Sequence, residues 1–153
     1  RLQTVARSGD VTWVDDSKAT NGHAAAAALA AFGPGSVVWI AGGLAKGATF
    51  DDLVASRRDR LRAVVLIGAD QAPLREALDR HAPEVPVVAV DPGDTGTVMT
   101  RAVEEARLLA TAAGGPVTVL LAPACASMDQ FASYADRGES FAAAARALAA
   151  SVG

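Results

Sequence analysis

The sequence predicts an α/β fold: a Rossmann-like, doubly wound, mostly parallel sheet in a single domain, with one antiparallel strand at its edge. Three observations predict it. Short β-branched runs alternate with longer stretches of helical period along the chain. The runs are continuously apolar, as in VVWI and VTVLL, which is the pattern of strands buried on both faces. Strand–helix–strand alternation closes through right-handed crossovers, so the strands are parallel. Length agrees, because 153 residues suffice for one domain with a real core and not for two ordinary ones.

The elements follow in order. Residues 3–6 form a strand, Ser8-Gly9-Asp10 a turn, and residues 12–14 the returning strand; this hairpin supplies the antiparallel edge. An alanine-rich helix spans 22–32, with Thr20-Asn21 placed to cap it. Strands at 37–40, 63–67, 87–90 and 117–121 alternate with helices at 50–57, 72–81, 97–112 and 136–150. Asp70 stands where it can cap the helix that has Pro73 in its first turn. Gly114-Gly115-Pro116 stops the next helix, and Asp136 with Glu139 fits a capping box. Trp13 and Trp39 fall inside strands and read as core. The order of the strands does not follow from the pattern.

Composition narrows the function. Half the residues are hydrophobic and a fifth are charged, the balance of a globular protein. A net charge of −3 without a basic run argues against nucleic acid or an anionic membrane as partner. Arg57, Arg58, Arg60 and Arg62 are interrupted by Asp59 and read as a solvated helix end. No stretch approaches the ~20 apolar residues of a membrane span, and no signal peptide is evident, so a cytoplasmic location is expected. The single Cys125 cannot form an internal disulfide, and no metal-ligand spacing is present. The chain begins at Arg1 rather than Met, which suggests a piece of a longer protein.

In open parallel sheets ligands bind beyond the carboxyl ends of the strands. Three of the expected parallel strands end in unusual polar sequence: DDSKATN (15–21), AGGLAKG (41–47) and APACASMDQ (122–130). Parallel strands put these loops at one edge. Lys18 and Lys46 there, with helix N-termini and glycines that admit close backbone approach, indicate a small-anion site. No phosphate-cradling GxxxxGK[ST] loop occurs. His23 and His81 read as structural or exposed, and Cys125, between alanines, as a small hydrophobe.

DSKATN, GGLAKG and PACASMDQF, in this order, resemble the D-glutamate-adding branch of the Mur ligase family, and the resemblance extends over nearly the whole chain, including YADRGESF (134–141). It implies that residues 1–153 form the C-terminal, amino-acid-binding domain, with UDP-sugar-binding and central ATPase domains lying outside this chain. ATP would phosphorylate the carboxylate of UDP-N-acetylmuramoyl-L-alanine, and the D-glutamate amine would attack the acyl phosphate. Mg2+ would be held by the central domain, with no metal held by this domain alone. Lys18, Thr20, Lys46, Ser127, Met128 and Tyr134 match positions that hold D-glutamate or lie beside it. Lys18 would also approach the transferring phosphate, a catalytic role. Arg1 and Asp16 match ATP-contacting positions. Met128 replaces the commoner leucine or phenylalanine, and Tyr134 the commoner phenylalanine, which leaves open whether Tyr134 acts by ring or backbone. The competing readings are a folylpolyglutamate synthetase-like amide ligase, against which DSKATN speaks, and a non-catalytic α/β module that binds a small anion.

Overall fold

The computed structural model describes residues 2–93, 95–112 and 114–152. Strand β1 (Gln3–Ser8) turns through Gly9 and pairs antiparallel with β2 (Val11–Asp15), with a bulge between Thr4 and Ala6. Every other pairing among β3 (Val37–Gly42), β4 (Leu61–Ile67), β5 (Val87–Ala89) and β6 (Val117–Leu121) is parallel, and the sheet order is β1-β2-β6-β3-β4-β5. The last strand thus inserts between β2 and β3.

Helices cover both faces because successive strand residues point to opposite sides. Trp39 and Leu66 join one core with helices α1 (Gly22–Leu29), α2 (Asp51–Arg57) and α3 (Ala72–His81). Val38, Ile40 and Trp13 join the other, under α4 (Val98–Ala112) and α5 (Tyr134–Val152). Trp13 and Trp39 are core residues as expected, and Trp39 Nε1 donates to Ala122 O at 2.7 Å inside that core.

The helix ends hold the differences from the sequence reading. Asn21 caps α1, its Oδ1 accepting from the Ala24 N–H at 2.8 Å. The arginine cluster is more than a solvated helix end. Arg57 Nε donates to Ala26 O at 2.8 Å, Arg60 donates to Phe32 O, and Arg58 Nη1 donates to His81 O at 3.0 Å. Ala26 O also accepts from the Ala30 N–H at 3.0 Å, while His81 O ends α3; carbonyls at the C-terminal ends of helices are natural partners for cations.

Asp70 does not cap α3. The capping position is Gln71, which makes no side-chain cap bond; its amide donates to Gly68 O and Val90 O instead. Helix α5 starts two residues earlier than expected. Ser133 Oγ accepts from the Asp136 N–H (3.0 Å), and the Asp136 carboxylate reaches back to the Ala132 N–H (3.3 Å). Asp136 is therefore the acidic partner of a capping arrangement and not the cap itself.

Candidate functional site

Because β2, β6 and β3 are adjacent, the three polar loops that follow them lie side by side. Backbone hydrogen bonds join them into one body. The Ala124 N–H donates to Ala19 O at 2.9 Å and the Gly42 N–H to Pro123 O at 2.9 Å. Leu44 and Ala126 exchange bonds in a small antiparallel bridge, at 2.9 and 3.1 Å. This contact demands glycine at position 43, since a Cβ there would stand 2.2 Å from Ala126 O. Lys46 (φ +54°) and Ala124 (φ +63°) adopt left-handed backbone without being glycine, a strained conformation that only a surrounding structure of this kind maintains.

Beneath the loops lies a polar network. Arg137 of α5 is 1% exposed. Its Nε donates to Ser17 Oγ (2.9 Å), Nη2 to Ser17 O (2.9 Å) and Nη1 to Cys125 O (3.0 Å). Ser17 Oγ in turn donates to Tyr134 O at 2.6 Å, and the Ser17 N–H to Asp15 Oδ1 at 2.8 Å. One guanidinium therefore ties the DDSKATN loop, the PACAS loop and the start of α5 together. Desolvation lowers its pKa to about 10, so it stays cationic at neutral pH. Burial raises the Asp15 carboxyl above its ordinary value, partly opposed by the Ser17 N–H. Burial also pushes the Cys125 thiol up to about 12. It is a neutral packing residue, as expected, and not a nucleophile.

The ligand-facing residues divide over this platform. Lys18 and Lys46 are exposed, Asp16 and Thr20 half-buried, and Ser127 buried. Met128 and Tyr134 are 67% and 45% exposed. Asp16 and Lys18 line an open cleft of about 590 Å3 whose floor is the alanine face of α1 and whose far wall includes Leu2. Thr20, Lys46, Ser127, Met128 and Tyr134 do not line that cleft; the first four belong to the interlocked loops, and Tyr134 begins α5. Arg1 lies outside the described residues. The arrangement offers two cations on rigid loops beside a cleft, suited to a multiply anionic ligand. Among the described residues no group of three His, Cys, Asp or Glu side chains is placed to hold a metal ion.

Sequence reasoning missed Arg137, Ser17 and Asp15. The available signal was Gly138, a helix-interior glycine that costs about 1 kcal/mol relative to alanine. A Cβ there would stand 2.6 Å from Asp15 Oδ2, so the glycine marks where α5 closes on the loop.

Comparison with known proteins accords with this geometry. The family model described as the Mur ligase, glutamate ligase domain, matches residues 1–125. The chain belongs to the Mur ligase family. It is 65% identical over 150 residues to the UDP-N-acetylmuramoylalanine–D-glutamate ligase of Streptomyces avermitilis, covering 98% of this chain and 31% of that protein. The ligase of the same name from Streptomyces coelicolor is 62% identical, with coverage of 98% and 31%, and that of Bifidobacterium longum is 57% identical, with coverage of 95% and 31%. The chain therefore spans about a third of the length of these Mur ligases. No helix among its described residues is long and apolar enough to cross a membrane.

Proposed function

We propose that the chain is the amino-acid-binding domain of a cytoplasmic, ATP-dependent ligase that joins D-glutamate to UDP-N-acetylmuramoyl-L-alanine in peptidoglycan synthesis. The observation that supports it most directly is the pair of exposed lysines, Lys18 and Lys46, on interlocked loops at the carboxyl edge of the sheet. D-Glutamate carries two carboxylates, and Lys46, Thr20 and Ser127 supply a cation and hydroxyls to orient them. Met128 and Tyr134 flank the amino acid with exposed apolar surface, which a closing central domain would cover.

The cleft beside Asp16 and Lys18 fits a nucleotide. Its floor is apolar, its volume of about 590 Å3 is ample, and its rim carries a carboxylate for sugar hydroxyls and a cation for phosphate. ATP, when bound, supplies the phosphoryl group that activates the substrate carboxylate; Mg2+ belongs to the central domain. The Lys18 ammonium, between cleft and amino-acid loops, offsets negative charge on the transferring group. Arg137 holds the Ser17 and Cys125 carbonyls fixed, so that Lys18 and Ser127 keep their relative positions.

The test uses the parent ligase. Lys46→Ala and Ser127→Ala should raise the KM for D-glutamate by about tenfold or more, since each removes a substrate hydrogen bond. Lys18→Ala should lower kcat as well. If all three variants changed only the KM for ATP, the division of roles would be wrong.

A further inference from the structure

The loop that follows β6 carries Ser127, and neighbouring loops grip it on both sides of that residue. On one side Ala126 exchanges backbone bonds with Leu44, at 2.9 and 3.1 Å. On the other, Asp129 Oδ2 accepts from the Ala69 N–H at 2.8 Å, and Gln130 Nε2 donates to Pro92 O at 2.9 Å. The loop thus passes the end of β3 to reach the loops after β4 and β5. Between the grips the chain makes a turn, in which Ser127 O accepts from the N–H groups of Gln130 (3.2 Å) and Phe131 (2.9 Å).

The two side-chain grips differ in kind. Gln130 is buried, so its amide belongs to the fold. Asp129 is half-buried and Ala69 exposed, so water can serve the Ala69 N–H once the carboxylate is gone. Such a bond adds little stability; its consequence is where it puts the chain. The post it holds is rigid. Gly68, with φ +91°, packs so closely on the GGLAKG loop that a Cβ would stand 2.3 Å from the Gly43 nitrogen, and Gln71 Nε2 donates to Gly68 O at 3.2 Å. Ser127 is only 4% exposed, so it can meet a ligand through a narrow opening, and a small shift of the turn withdraws it. We propose that Asp129 is a positioning residue for the Ser127 hydroxyl, its carboxylate fixing the turn 127–131 against the loop after β4. The inference rests on the amino-acid site proposed above. Asp129 acts through Ser127 and not on the ligand, since an anionic side chain in contact with a dicarboxylate would repel it.

The experiment measures D-glutamate kinetics and thermal melting in the parent ligase. Asp129→Ala should raise the KM for D-glutamate by about threefold or more, with kcat and melting temperature close to those of the parent. Asp129→Asn keeps an acceptor oxygen for the Ala69 N–H without the charge, and should return the KM most of the way. Asp129→Ala combined with Ser127→Ala should be little worse than Ser127→Ala alone, because the hydroxyl to be positioned is gone. An unchanged KM in Asp129→Ala beside a raised KM in Ser127→Ala would overturn the anchor and leave the site standing; an unchanged KM in both would overturn the site reading with it. Asp129→Asn as poor as Asp129→Ala would mean that the charge acts and not the bond. Additive losses in the double variant would mean a route other than Ser127. An Asp129→Ala variant that unfolds, or melts well below the parent, would make the bond a support of the fold and overturn the inference as well.

Discussion

Arg137 carries a full charge to a place where no carboxylate among the described residues comes within ion-pairing distance. Carbonyl and hydroxyl oxygens receive it instead, from loops more than a hundred residues away in one case and twelve in the other. Arg137→Ala would leave those acceptors buried and unmet, so urea unfolding should show a loss of about 3–5 kcal/mol. Arg137→Lys should recover only part, because one ammonium cannot span Ser17 and Cys125 as the planar fork does. Unchanged stability in both variants would mean that the network is ornamental. Asp15 gives a prediction of the other sign. Its carboxyl has a raised pKa in the folded state, mainly through burial. Its stabilising contribution is therefore greatest below the unfolded value of 3.8 and declines as pH rises through the folded pKa. Asp15→Asn keeps an acceptor for the Ser17 N–H and removes the buried charge. The variant should be more stable than the parent at pH 7, with the gain shrinking toward pH 3; a gain that grew in acid would contradict the burial argument. Residues of local meaning were legible in the sequence, as with Asn21 beside its helix or Cys125 between alanines. Arg137 was not, because a bond across 120 residues leaves no local pattern.

Among the elements, strands and helices were legible to within a few residues, since apolar runs and breakers are strong signals. Their ends were not. Asp136 and Glu139 have the spacing of a capping box, yet the cap is Ser133, which no local pattern distinguishes from its neighbours. Asp70 stands before Pro73 as a cap would, but Gln71 occupies the capping position and spends its amide on Gly68 and Val90. The interlocking of the loops yields a test at this scale. Gly68, just past β4, has φ +91°, and a Cβ there would stand 2.3 Å from the Gly43 nitrogen. Gly9, in the hairpin turn, has φ +57° and open space around it. Gly68→Ala should therefore cost several kcal/mol, since backbone and not a pliable side chain stands in the way, and Gly9→Ala only about 1 kcal/mol. Thermal melting compares them directly. Similar losses at the two positions would mean that the loops after β3 and β4 yield easily.

For the molecule as a whole, the fold class was legible and the strand order was not, because crossover handedness fixes direction and not which strand neighbours which. The insertion of β6 between β2 and β3 brings the three polar loops together, and with them the proposed D-glutamate site. Both faces of the sheet are covered by the chain's own helices around continuous cores. The isolated chain should accordingly fold by itself. It should also bind D-glutamate poorly, with a Kd on the order of millimolar or weaker. Lys18 and Lys46 are exposed, and a lysine–carboxylate pair in water is worth about 0–1 kcal/mol. Immobilising a flexible dicarboxylate costs several kcal/mol, so two such pairs barely offset it. A central domain closing over the edge would exclude water and strengthen the same contacts. The measurement is a titration of the labelled chain with D- and L-glutamate. Shifts should centre on Thr20, Lys46 and Ser127, fail to saturate below millimolar concentration, and weaken as salt is added. Micromolar affinity for D-glutamate would contradict the need for closure, and would instead indicate a domain that senses the amino acid without a partner.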